Sequence, residues 1–114
     1  MAAPEYFGYP VPYDGHIDEM VVSVTNNTCD ADTYVDLYKN PFPYVLATER
    51  ELVQRFSIPA LTTGAFHFRP KKKFRFKKFD LIVVPVDTSG SEDTQAISLS
   101  AAISYKRNQN TRHK

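Results

Sequence analysis

Residues 97–106 read ISLSAAISYK: Ile97, Leu99, Ala101, Ile103 and Tyr105 fall on one side, and Ser98, Ser100, Ala102, Ser104 and Lys106 on the other. Successive side chains of a strand point to opposite faces, so this strict alternation predicts an antiparallel strand with one face on a core and the other in water. The same period recurs upstream. Met20, Val22 and Val24 alternate with Val21, Ser23 and Thr25 and stop at a turn, Asn26-Asn27. Thr33 to Lys39 sets Val35 and Leu37 against Tyr34, Asp36 and Tyr38, and the two prolines of Asn40-Pro41-Phe42-Pro43 end it. Phe56 and Ile58 share one side of Leu52 to Ile58, with Arg55 and Ser57 opposite, and Phe66 and Phe68 lie together in Ala65 to Arg69. Leu81 to Val86, LIVVPV, is apolar on both sides, which suits a covered strand, with Pro85 marking an edge or an exit.

The only capped helix candidate is one turn at Thr48 to Leu52, and it runs straight into a strand pattern. With the extended stretch Lys73 to Lys77 this makes seven short strands, turn signals between them and no internal repeat. The expected fold is an all-β antiparallel β-sandwich, with a small β-barrel as the alternative. At 114 residues the chain is expected to form a single domain over residues 20–106. Residues 1–19 precede it as an extended arm rich in proline and aromatics, and residues 107–114 follow as a polar basic tail. Tyr6, Phe7, Tyr9 and Tyr13 are too many aromatics for a solvated tail, so the arm is expected to lie in a groove of its own domain or of a partner.

Net charge is only +1, but its distribution is uneven. The stretch RPKKKFRFKKF, residues 69–79, holds seven of the fourteen Lys and Arg: Arg69, Lys71, Lys72, Lys73, Arg75, Lys77 and Lys78. The remaining seven stand against thirteen Asp and Glu, so a mildly acidic body carries one positive stripe. Such asymmetry orients contact with an anionic neighbour, be it phosphate, lipid headgroup or acidic protein. If Lys73 to Lys77 is extended, Phe74 and Phe76 point inward while Lys73, Arg75 and Lys77 point outward. Two readings share that geometry, cations that keep an exposed strand soluble or a polyanion-binding face without base readout; a third reverses the faces and turns Phe74 and Phe76 outward to stack on unpaired bases.

No pattern here supports catalysis. His16, His67 and His113 are far apart and lack metal-ligand spacing. Cys29, the one cysteine, sits in the polar run NNTCDAD, where Asp30 and Asp32 disfavour a thiolate, and it leaves no partner for a disulfide. Asp30 with Asp32, and Glu49 with Glu51, read as turn carboxylates without the ligand set of a calcium loop. With four glycines and no phosphate-cradling loop, neither an enzyme nor a cofactor is expected. A secretory signal and a membrane-spanning helix are not expected either, because the amino-terminal residues lack a basic lead-in and no segment reaches about 20 apolar residues.

Across residues 20–106, VVSVTNNT, the strand-turn-strand SIPALTTGAFHF and DLIVVPVD, followed by the serine-alternating last strand, resemble the small jelly-roll or immunoglobulin-like subunits of virus and phage particles. The resemblance implies a non-enzymatic structural role, as a minor capsid, vertex or decoration protein made in a host cytoplasm and found in the virion. Its partners would be other protein subunits, including copies of itself, with nucleic acid or anionic lipid as further contacts for the basic strand. The alternative is a nucleic-acid-binding β-barrel using residues 69–79. An extracellular adhesion or sugar-binding module fits less well, because no export signal is expected.

Overall fold

In a computed structural model, which describes residues 8–108, the longest strand is Gly15–Asn27. Its buried positions are Gly15 and Ile17, then Met20, Val22 and Val24, then Asn27. The inward register thus changes phase twice. Both changes fall at bulges, where pairing with the last strand shifts between Ile17 and Glu19 and again between Val24 and Asn26. Each bulge inserts one residue, and one residue is enough to swap faces.

Numbered along the chain, the strands are β1 (Tyr9–Pro10), β2 (Gly15–Asn27), β3 (Thr33–Asn40), β4 (Glu51–Ile58), β5 (Gly64–Phe68), β6 (Arg75–Phe76), β7 (Leu81–Val83), β8 (Val86–Asp87) and β9 (Ile97–Arg107). They form two antiparallel sheets packed together, an open sandwich and not the closed barrel kept as the alternative. One sheet runs β1-β7-β3-β4, with β8 further along the same edge of β3 as β7. In the other, β5 and β6 pair with β2, and β9 follows β2 from Gly15 to Asn27. A single 3-10 turn, Ala47–Glu49, lies where one helical turn was expected, and β4 follows it.

The core lies between the sheets, with Met20, Val22 and Val24 of β2 facing Val35, Leu37, Phe56 and Ile58 of β3 and β4. Phe56 and Phe68 stack at 4.7 Å and join β4 to β5. Each fully buried aliphatic or aromatic side chain stabilises the fold by about 1.5–3 kcal/mol. LIVVPV is split: Tyr38 faces Val83 and Val35 faces Val86 in the same register, and the ladder lapses at Val84 and Pro85. Pro85 has no amide to give, and its carbonyl still accepts the Asp36 N–H at 3.0 Å.

Four expectations change. The first long strand begins at Gly15 and not after residue 19, because the bulge at Asp18 conceals the continuing alternation; β1 forms still earlier, within the stretch read as an arm. Tyr6 and Phe7 lie outside the described residues, as do residues 109–114 of the tail, while Arg107 belongs to β9. Residues 69–79 are not one strand, since only Arg75–Phe76 pairs. Pro70 lacks a donor, and the amides of Lys71, Lys77 and Lys78 bond to side chains instead. Asp36 is buried rather than wet, because Arg55 grips it with two bonds of 2.8 and 2.9 Å while lying over the Tyr34 ring. That hydrogen bonding raises the Arg55 pKa, and bonds from Ser89 and then the Arg55 charge lower that of Asp87 beside it.

The predicted facing of the two phenylalanines holds: Phe76 is 1 % exposed and Phe74 is half-buried, while Lys73, Arg75 and Lys77 are exposed. Phe76→Ala is therefore expected to cost about 3–5 kcal/mol in chemical denaturation, against within about 0.5 kcal/mol for Lys73→Gln. A second test uses pH. Burial raises the Tyr105 phenol from 10.0 to about 12. The neutral phenol then contributes stability that is complete below its unfolded pKa and lost as pH climbs through the folded one. Unfolding free energy should fall between pH 10 and about 12, and Tyr105→Phe should flatten that fall.

Candidate docking surface

Residues 69–80 wrap one end of the sandwich, and their backbone is clamped from several sides. The Lys71 N–H donates to Gln54 Oε1 on β4, and the Lys78 N–H to Asp14 Oδ1, both at 2.8 Å. Lys39 Nζ donates to the Arg75 carbonyl at 3.2 Å and sits 4.9 Å from the centre of the Phe74 ring. The side chains are left free. Arg69 pairs with Glu19 at 3.3 Å, and among the described residues the other six cations of the run form no ion pair.

The topology brings further charge to them. His16 of β2 is the register partner of Arg75 on one side and of Lys106 on the other. Partners directly across a ladder share a face, so Arg75, His16 and Lys106 form a row across three strands on the outer side of the sheet. An open groove of about 210 Å³ lies beside the row, between His16 and Asp18 on one wall and Arg69, Lys72 and Lys73 on the other. Asp18 offsets part of this charge, 3.7 Å from Lys106. Nothing in the spacing of His16 signals the row. The outward phase of Lys106 does, once β9 is paired with β2.

The run ends in a β-turn, Lys77-Lys78-Phe79-Asp80, closed by the Asp80 N–H on the Lys77 carbonyl at 2.9 Å. Phe79 occupies its third position with φ of 81°, where such turns call for glycine. For a bulky side chain this conformation is strained by about 1–2 kcal/mol. Yet its ring is 52 % exposed, so little burial offsets that strain. It meets one other exposed ring, Phe42, at 5.7 Å; Phe42 lies 5.3 Å from the exposed Tyr44 ring, whose Oη donates to the Phe79 carbonyl at 2.8 Å. Lys78 Nζ stands 5.2 Å from the Phe79 ring centre.

Asp80 holds the turn and the rings together. It is 4 % exposed, and its carboxylate accepts the Phe42 N–H at 3.0 Å and the Lys77 N–H at 2.8 Å. Its own carbonyl accepts the Val11 N–H, tying in the amino-terminal stretch.

The other candidates fall elsewhere. Tyr9 is 57 % exposed on β1, whereas Tyr13 packs on Tyr105 at 5.6 Å, beneath the Arg107 guanidinium. Cys29 is fully buried and its N–H bonds to Asn27 Oδ1, although its neighbours suggested a surface turn. Among the described residues no three His, Cys, Asp or Glu side chains gather as a metal site, and no helix is long and apolar enough to cross a membrane.

Asp80→Ala would orphan two amides, each worth about 1–3 kcal/mol when left buried without a partner. The variant should melt well below the wild type, and the Phe42 and Lys77 amides should lose hydrogen-exchange protection. Neither a protein family, nor a curated protein, nor a solved structure matches the chain.

Proposed function

We propose that the chain is a non-enzymatic structural subunit of a larger assembly, docked on a neighbouring protein through its basic end and the adjoining aromatic patch. Its specific form is a minor capsid, vertex or decoration protein of a virus or phage particle, as the resemblance of residues 20–106 implies. The observation that carries the reading is Phe79: an exposed ring kept in a glycine conformation, braced by Tyr44 and Phe42 and flanked by cations. Strain of this kind persists where the conformation serves contact. Rigid aromatics beside unpaired cations are the composition of interface hot spots, with the charges steering approach to an acidic face. The basic row Arg75-His16-Lys106 favours a second reading, a track for a nucleic-acid backbone.

Two variants separate these readings. Phe79→Gly relieves the turn and should retain stability, yet lose co-sedimentation with the native assembly. Changing Lys71, Lys72, Lys73, Arg75, Lys77 and Lys78 to Gln should also abolish incorporation. If both variants sediment with the assembly as the wild type does, the docking role is wrong. Binding of the wild-type chain to single-stranded or duplex DNA that weakens steeply with salt, is lost in the Gln variant and is unaffected by Phe79→Gly would instead establish the nucleic-acid reading.

A further inference from the structure

β9 has eleven residues and, among the described residues, pairs along one side only, with β2. Among the described residues no backbone hydrogen bond reaches its outer edge. An open edge is a template for another strand, and proteins blunt it with short length, proline, charge, bulges or a covering segment. The other edges carry such devices. β1 has two residues and includes Pro10; β5 has five and bears His67; β4 carries Glu51 and Arg55, and residue 71 lies against its Gln54. From Ile97 to Tyr105, β9 has no proline, glycine or charge, and both bulges of the pair fall in β2.

The inner face of this strand is also incompletely covered. Leu99 and Ile103 are half-buried, Ala101 is exposed, and a groove of about 350 Å³ opens between Tyr9 on one sheet and Ala101, Ile103 and Tyr105 on the other. It is the open side of the sandwich, opposite the side closed by Phe56 on Phe68.

We infer that this edge is the seat of a second copy of the chain, joined β9 to β9 antiparallel about a two-fold axis through Ala102. Ala102 is the midpoint of the strand, so the full length pairs with itself. Leu99 then lies opposite Tyr105, and Ala101 opposite Ile103, which continues the apolar inner face from one copy into the next. The outer face meets through Ser100, Ala102 and Ser104, small side chains that let two backbones approach. The two open grooves face each other across the axis, and the exposed Tyr9 rings gain cover.

Charge selects the same arrangement. Arg75, Lys106 and Arg107 cluster at the Gly15 end of β2, offset in part by Asp14 and Asp18. At the Asn27 end stand Asp30, Glu92 and Asp93, all exposed, where the Asp30 and Glu92 amides both bond to Gln95 Oε1. Antiparallel pairing sets the basic end of each copy beside the acidic end of the other, whereas parallel pairing would oppose like charges. A two-fold axis also satisfies both edges at once and leaves none open. The β9 edge lies apart from the aromatic patch and shares with the basic end only the row that runs through Lys106, so the dimer does not depend on the docking role proposed above.

Sedimentation equilibrium of the full chain, from micromolar to millimolar, tests the inference. The wild type should be a reversible dimer. Ala102→Lys places two like charges on the axis, at a position exposed in the single copy, and should raise the dissociation constant at least about tenfold while the protein stays folded by circular dichroism. Lys106→Glu with Arg107→Glu should weaken the dimer, and adding Glu92→Lys with Asp93→Lys should restore it. A wild type that is monomeric throughout overturns the inference. So does a dimer indifferent to Ala102→Lys, and one that dissociates only in the Gln variant of residues 71–78 belongs to the basic end instead.

Discussion

The buried carboxylate of Asp80 is the contact on which the working end of the molecule depends. Three segments reach Asp80: the loop after β3 through the Phe42 amide and the basic run through the Lys77 amide, both on the carboxylate, and the amino-terminal stretch through the Val11 amide on the Asp80 backbone carbonyl. A carboxylate out of water must have its charge met by donors, and bonds to a charged group are stronger than neutral ones. Because the donors are backbone amides, the surrounding cations are spared that task. Their ammonium and guanidinium groups stay at the surface with the chain beneath them fixed. A basic segment that would repel itself as a free loop becomes a rigid array.

The architecture then decides where that array sits. β2 is long enough to take β5 and β6 in succession on one edge while β9 follows it from end to end on the other. Register alone puts the basic run next to Lys106, and the acidic turns lie about 13 strand residues away, roughly 40 Å at the usual rise. Over that distance screening at physiological salt isolates the two ends from each other within one molecule. Each end is then felt chiefly by groups in direct contact with it, where screening is weak.

Much of the sandwich was legible because its strands are half-buried: the alternation in Ile97–Arg107 and around Met20, Val22 and Val24 states which side is wet. What alternation hides is a change of phase. The bulges at Asp18 and Thr25 concealed the ends of β2, and the amide missing from Pro85 divided one apolar run into β7 and β8. In the basic run, composition correctly gave the facing of Phe76 and the exposure of the cations. It did not give the backbone path, because Gln54 and Asp14 hold that path through bonds to residues far apart in sequence, with Asp80 closing it locally on Lys77. Phe79 illustrates the limit most sharply, since nothing in its neighbours announces that a phenylalanine will fill a glycine's conformation. The row through His16 was equally invisible, being a product of pairing rather than of spacing.

Two features break local rules, namely a strained exposed ring and a long edge that carries no charge from Ile97 to Tyr105; Leu61, at φ 60° and 63 % exposed, shares the strain and exposure of the first. In a domain whose whole stability is of the order of 5–15 kcal/mol, strain of about 1–2 kcal/mol at one turn is a sizeable fraction. Glycine at 79 would remove it, and a lysine in the middle of β9 would guard the edge, neither disturbing a buried contact. Within the isolated molecule the ring makes only surface contacts, with Phe42 and Lys78, and the bare edge improves neither hydrogen bonding nor solubility. Both acquire a physical reason once the surface around them is covered, because an exposed ring then leaves water and a bare strand edge finds backbone hydrogen-bond partners. The ring and the edge lie on different parts of the surface, so the docking role and the dimer proposed above are compatible.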